Sequence, residues 1–124
     1  MALIFYKCDI CGNLVCTINS SGNPLTCCGK QMKILRPEST DGALEKHVPV
    51  YEKTGNSFMV TVGSILHPME KMHHIEFIAI ETNKGFQVKH LTDMPKACFE
   101  LCDDENVVAI YEYCNLHGLY VKNL

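Results

Sequence analysis

The sequence predicts an all-β protein with two parts, a small N-terminal metal-knuckle domain and an antiparallel β-sandwich of immunoglobulin-like architecture. Cysteine and glycine dominate roughly the first 35 residues, as in small domains that fold around a cysteine-bound metal ion. The rest of the chain contains about seven short runs of β-type residues with turn formers between them. No segment shows a convincing helical pattern.

The boundary between the two parts is predicted at a polar segment rich in turn-forming residues. Residues 36–42 (RPESTDG) have the composition of a linker, which gives domains of residues 1–36 and 37–124. A domain of about 36 residues cannot bury enough apolar surface to fold alone. A bound metal is expected to supply the missing folding energy, because only the folded chain presents its ligands together.

The sandwich prediction depends on apolar runs too short for helices. Turn-like residues such as Thr54, Gly55 and Asn56 separate these runs. The six clearest of these runs cover residues 48–53, 57–63, 73–81, 88–91, 106–113 and 119–121.

Composition narrows the class of function. The chain has 124 residues, 47% of them hydrophobic and 20% charged, with a formal net charge of -3. The sequence contains no run of Lys or Arg, so we expect no nucleic-acid partner. There is neither a signal-peptide pattern nor an apolar run of about 20 residues, so we expect a cytoplasmic protein without a membrane partner. Eight cysteines in a reducing compartment point to metal binding.

The first cysteine cluster contains four sulfurs, from Cys8, Cys11, Cys27 and Cys28. Four thiolates complete a tetrahedron around zinc or iron, and Gly12 allows the chain to turn around the ion. Because Cys27 and Cys28 are adjacent, we expect a distorted tetrahedron. A structural zinc ribbon and a vicinal disulfide are the alternatives, and the spacing does not select iron over zinc.

The second cluster combines imidazoles with one thiolate, from His47, His67, His73, Cys114 and His117. Five ligands exceed the four of structural zinc and leave one position open on an octahedral metal, where a small molecule can bind. Neutral imidazoles suit ferrous iron, and a thiolate opposite the open position donates electron density toward the bound molecule. This combination suits one-electron transfer to an oxygen species.

Four motifs in order resemble the desulfoferrodoxin family, a group of superoxide reductases. They are residues 40–50 (TDGALEKHVPV), residues 67–69 (HPM) with His73, residues 112–118 (EYCNLHG), and the four N-terminal cysteines, which resemble the desulforedoxin-like module of the two-iron class. The resemblance covers nearly the whole chain.

The resemblance implies two iron ions per chain, one with four cysteines and one with four histidines and Cys114. It implies an axial Cys114 with the histidines in a plane, Glu45 as a sixth ligand in the oxidised resting state, and Lys46 at the mouth of the site, so that Glu45 and Lys46 are the candidate catalytic residues. It further implies reduction of superoxide to hydrogen peroxide, a homodimer, and a rubredoxin-type electron donor.

Three other functions remain open at this point. One is a rubredoxin-like electron carrier with a structural second metal site. Another is a zinc-ribbon interaction module, and the third is dismutation of superoxide. Five other histidines and cysteines fall outside the motifs, and we predict that they are not metal ligands: His74, His90, Cys16, Cys98 and Cys102.

Overall fold

The computed structural model describes residues 3–37, 48–63 and 67–124, and across these ranges it contains twelve strands and no helix. The predicted all-β class is therefore confirmed. Glu45, Lys46 and His47 lie outside the described residues. Within the described ranges, no helix is long and apolar enough to cross a membrane.

The chain divides into two compact units, Met1–Arg36 and Pro37–Leu124. In the first unit the order β2-β1-β5 forms one antiparallel sheet, and β3 pairs with β4 in a hairpin. Its core consists of Tyr6, Cys8 and Met32, so little apolar surface supports this unit. The strands are β1 (Ile4–Lys7), β2 (Leu14–Thr17), β3 (Thr26–Cys27), β4 (Lys30–Gln31) and β5 (Lys33–Ile34).

The second unit is an antiparallel sandwich. One sheet has the order β10-β7-β6 and the other the order β12-β11-β8-β9. This arrangement of three and four strands matches the predicted immunoglobulin-like sandwich. The strands are β6 (Pro49–Thr54), β7 (Ser57–Val62), β8 (Ile75–Thr82), β9 (Phe86–His90), β10 (Lys96–Glu100), β11 (Val107–Cys114) and β12 (Gly118–Asn123).

Side chains from both sheets meet in one core. Val60 of β7 and Phe99 of β10 face Ile78 of β8 and Ile110 of β11, and each of these four side chains is 0% exposed. Burying each one stabilises the fold by about 1.5–3 kcal/mol. The sandwich therefore has an apolar core that does not depend on metal.

One strand of the sandwich is absent from the predicted runs. Strand β10 buries Ala97 and Phe99 on one face and carries Lys96 and Glu100 at its ends, so it lacks a continuous β-type run. It is nonetheless fully paired with β7, from Lys96 opposite Thr61 to Glu100 opposite Ser57. The residues of β10 have a weak propensity for β structure, so the strand forms because it pairs with β7.

Candidate metal centres

The four N-terminal cysteines converge from two turns. Cys8 and Cys11 lie in the turn after β1, where the Gly12 N–H donates to the Cys8 carbonyl at 2.9 Å. Gly12 has a φ of 82°, as expected for a residue that lets the chain turn around an ion. Cys27 ends β3 and Cys28 begins the turn that follows. The four sulfurs all lie within 4.8 Å of one another.

The spacing of these sulfurs suits a tetrahedral ion. With metal–sulfur bonds of about 2.3 Å, the edge of a regular tetrahedron is about 3.8 Å. The Cys11 and Cys27 sulfurs are 3.6 Å apart, and those of Cys27 and Cys28 are 3.9 Å apart. The predicted distortion is not seen in these two edges. The adjacent cysteines instead require a φ of 54° at Cys28, a left-handed conformation that is unfavourable for a non-glycine residue.

The electrostatics of this cluster favour a cation. Backbone N–H groups of Cys11 and Ile10 hydrogen-bond to the Cys8 sulfur and lower the pKa of that thiol to about 6. The nearby Cys11, Cys27 and Cys8 sulfurs raise the pKa of Cys28 to about 12. One thiolate thus opposes ionisation of the next, and a bound metal ion would relieve that conflict by compensating most of their negative charge.

The second group brings together His67, His73, Cys114 and His117, whose ligand atoms also lie within 4.8 Å of one another. Cys114 is the last residue of β11, and His117 lies in the turn before β12. The register between β11 and β8 shifts between Tyr113 and Cys114, so that Cys114 faces Ile75. Such irregularities re-aim a side chain beside a functional site.

Hydrogen bonding fixes which nitrogen His67 presents. Its Nδ1 lies 2.7 Å from the Pro68 carbonyl oxygen, which can only accept, so Nδ1 carries the proton. Its Nε2 then remains for a metal and lies 3.4 Å from the Cys114 sulfur. On the other side, His117 Nδ1 lies 3.8 Å from the same sulfur. The His73 ring stands edge-on to both His67 and His117, at centroid distances of 4.6 and 5.0 Å.

These distances indicate where the thiolate lies relative to the imidazoles. For metal bonds of about 2.1 Å to nitrogen and 2.3 Å to sulfur, ligands at a right angle are roughly 3.1 Å apart and opposite ligands roughly 4.4 Å. The separations of Cys114 from His67 and His117 are both shorter than that of opposite ligands. These separations would allow the Cys114 sulfur and the two rings to hold one ion together.

Cys114 is fully buried, and burial raises its pKa. Backbone hydrogen bonds from His117 and Leu116 act in the opposite direction and lower it. A thiolate buried among imidazoles is stable only with a compensating cation, so the donor set fits a metal.

The structure brings together eight of the nine metal ligands predicted from the sequence, in two groups of four. The ninth, His47, lies outside the described residues, as do Glu45 and Lys46. His74 is not in either group, and its Nδ1 lies 2.9 Å from the Glu70 carbonyl. Two residues near the site were not anticipated, Glu112 and Asn115. Both belong to the 112–118 motif, and their closeness to Cys114 in the sequence is the signal that could have indicated a place near the site.

Comparison with known proteins matches both units. The desulfoferrodoxin family model matches residues 39–123, and the model of the desulfoferrodoxin N-terminal domain matches residues 3–35. A desulfoferrodoxin from Nitratidesulfovibrio vulgaris is 48% identical over 115 residues, which cover 91% of this chain and 90% of the relative.

Two solved structures extend the comparison. The superoxide reductase from Treponema pallidum is 32% identical, with a TM-score of 0.85 and 98% of each chain covered. A one-iron superoxide reductase from Giardia intestinalis is 29% identical with a TM-score of 0.55, and 97% of that chain corresponds to 64% of this one. With both of its units matched and nearly half of its residues identical to a relative of similar length, this chain belongs to the desulfoferrodoxin family.

Proposed function

We propose that this protein is a superoxide reductase, which combines superoxide with one electron and two protons to give hydrogen peroxide. The observation that carries the proposal is the second group, in which three imidazoles surround one buried thiolate in a member of this family. A structural metal site would have no reason to leave a position open, whereas five nitrogen and sulfur ligands on an octahedral ion would leave one.

Two iron ions are the cofactors. We assign the first to the unit of residues 1–36, on Cys8, Cys11, Cys27 and Cys28. We assign the second to the unit of residues 37–124, on His67, His73, Cys114 and His117 with His47. When bound there, iron supplies the electron and a position at which a small anion can bind.

The residues of this chain hold that centre in one arrangement. The Pro68 carbonyl keeps the His67 proton on Nδ1 and so leaves Nε2 available as a donor. The sandwich core encloses Cys114, which excludes water from its sulfur. Imidazole His117 lies at the exposed edge of the group, where a small molecule can approach.

Lys46 is proposed to steer superoxide, and Glu45 to occupy the sixth position in the oxidised resting state. The net charge of -3 is spread over the protein, and salt screens it beyond about 8 Å. A lysine about 4 Å from the incoming anion contributes about 1 kcal/mol in water and about 4 kcal/mol at an effective dielectric of 20. The local cation therefore outweighs the global charge. Lys46→Ala should slow the second-order reaction and weaken its salt dependence, whereas the exposed Lys53→Ala should change neither.

The electron donor, the oligomer and the compartment complete the proposal. Each turnover consumes one electron, so an external donor is required, and a rubredoxin-type protein is proposed. A homodimer and a cytoplasmic location are also proposed, the latter because the two groups of metal-binding residues need reduced thiolates.

The test is metal quantitation on the native protein together with rapid mixing against superoxide. Two irons per chain, rapid loss of superoxide and consumption of a reductant without oxygen release support the proposal. Colourless zinc protein that does not react would contradict it. Oxygen release during turnover would instead indicate dismutation, and two irons without superoxide loss would indicate an electron carrier.

A further inference from the structure

Asn115 connects the two loops that carry the second group of ligands. It follows Cys114 directly, and its hydrogen bonds reach the residues on either side of His73. Its side-chain Oδ1 accepts from the His74 N–H at 2.8 Å, and its Nδ2 donates to the Met72 carbonyl at 3.0 Å. Its backbone N–H donates to the His74 carbonyl at 3.1 Å.

These bonds continue the β8–β11 pairing past its end. The last paired residues of the two strands are Ile75 and Cys114. Beyond them, the Asn115 side chain presents one acceptor and one donor to the other loop, as a backbone peptide group would. The loop around His73 is thereby attached to the end of β11.

The loop's own hydrogen bonds do not provide this attachment. Reciprocal bonds between Glu70 and His73, at 2.9 and 3.2 Å, close the turn that contains Lys71 and Met72. They shape the turn but do not hold it against the loop after β11. In the described part of the chain, the side-chain bonds from Asn115 hold the backbone on both sides of His73 relative to Cys114.

We propose that Asn115 is a positioning residue that fixes the His73 imidazole relative to the Cys114 thiolate, and so sets the iron affinity and the electronic state of the second centre. The inference rests on the ligand assignment made under the proposed function. Groups that orient ligands from the next layer outward typically change metal affinity by 10- to 100-fold when they are replaced. Asn115 is half-buried, so its replacement leaves the sandwich core intact.

The test compares Asn115→Ala and Asn115→Asp with Met72→Ala in the full chain. Asn115→Ala removes both side-chain bonds, whereas Asn115→Asp keeps the acceptor for the His74 N–H and loses the donor. Met72 is 78% exposed, and its replacement keeps the carbonyl that accepts from Asn115, so Met72→Ala is a matched control on the same loop.

The readouts are iron affinity by anaerobic chelator competition and the thiolate-to-ferric absorption band of the second centre. Asn115→Ala should weaken iron binding there by about 10- to 100-fold and shift the band. Asn115→Asp should fall between Asn115→Ala and wild type, and Met72→Ala should match wild type. The four-cysteine centre is an internal reference whose iron should be retained throughout.

Two results would overturn the inference. If Asn115→Ala lowered only the melting temperature, with the band and iron affinity of wild type, its role would be structural rather than positioning. If the wild-type chain held no iron at the second centre, the proposed function would fail with it, and that failure is visible before any variant is made.

Discussion

Glu112 provides the sharpest test of the electrostatics inside the sandwich. It lies in β11 between Tyr120 of β12 and Ile78 of β8 and is 0% exposed. Neither carboxylate oxygen has a hydrogen-bond partner among the described residues. Burial therefore raises the pKa of this carboxyl from 4.5 to about 9, and the group is protonated in the folded protein at neutral pH.

The consequence for stability has a definite sign. Between pH 4.5 and about 9 the folded chain holds a proton that the unfolded chain has lost. The stability associated with Glu112 is therefore complete below the lower value and decreases as the pH rises towards the upper one. One proton corresponds to about 1.4 kcal/mol per pH unit, or roughly 2.7 kcal/mol between pH 6 and pH 8. Glu112→Gln has nearly the same shape and does not titrate, so it should lack this contribution.

Urea unfolding, followed by circular dichroism under anaerobic reducing conditions, measures the difference. From pH 6 to pH 8, the wild type should lose about 2.7 kcal/mol more than Glu112→Gln. Comparing the two proteins cancels the titration of the other groups. Glu81→Gln is the matched control, because Glu81 is buried in β8 but accepts a hydrogen bond from the Tyr111 hydroxyl at 2.8 Å. Its curve shows what the loss of a buried, hydrogen-bonded carboxyl does under the same conditions. Parallel curves for wild type and Glu112→Gln would mean that the folded protein holds an ionised Glu112, and the reasoning would be refuted.

Two further changes separate the metal centres from the scaffold. Cys28→Ser should remove iron from the first centre but keep the rate of superoxide loss within about two-fold of the wild-type rate, because the proposed reaction takes place on the other unit. Iron analysis and rapid mixing measure the two effects. A loss of rate in proportion to the iron lost from the first centre would contradict the assignment. Phe99→Ala should cost about 3–5 kcal/mol of unfolding free energy, because Phe99 is 0% exposed in the sandwich core, and a denaturation midpoint close to that of wild type would show that the core collapses around the gap.

The strands and the cysteine cluster are the parts that could be predicted from the sequence. Runs such as Phe58–Val62 alternate buried and half-buried side chains in β7, which is the pattern expected of a sheet with one face on the core. Cys8 and Cys11 have a spacing that few structures other than a metal knuckle require. In both cases the signal lies within a few neighbouring residues.

Features that depend on long-range pairing were not accessible in the same way. If side chains alternated strictly between the two faces of β8, Ile75 and Phe77 would share the face on the core. The core instead contains Ile75 and Ile78. The register shift at Cys114 changes which residues share a face, and a single sequence gives no sign of it. Strand β10 was missed for the same reason, since its pairing with β7 is visible only in the folded chain.

The two centres depend on their scaffolds in opposite ways. In the first unit, Cys8 belongs both to the metal group and to the three-residue core, and Cys27 packs against that core. The metal there is part of the folding free energy. In the second unit, Cys114 is one member of an extensive core built from both sheets, and the other buried members of this core belong to neither metal group. A centre that must keep one open position while its charge changes needs ligands held by something other than the metal. The paired strands β8 and β11, with the proposed connection through Asn115, provide this, and it is the physical reason to place the proposed reaction in the sandwich.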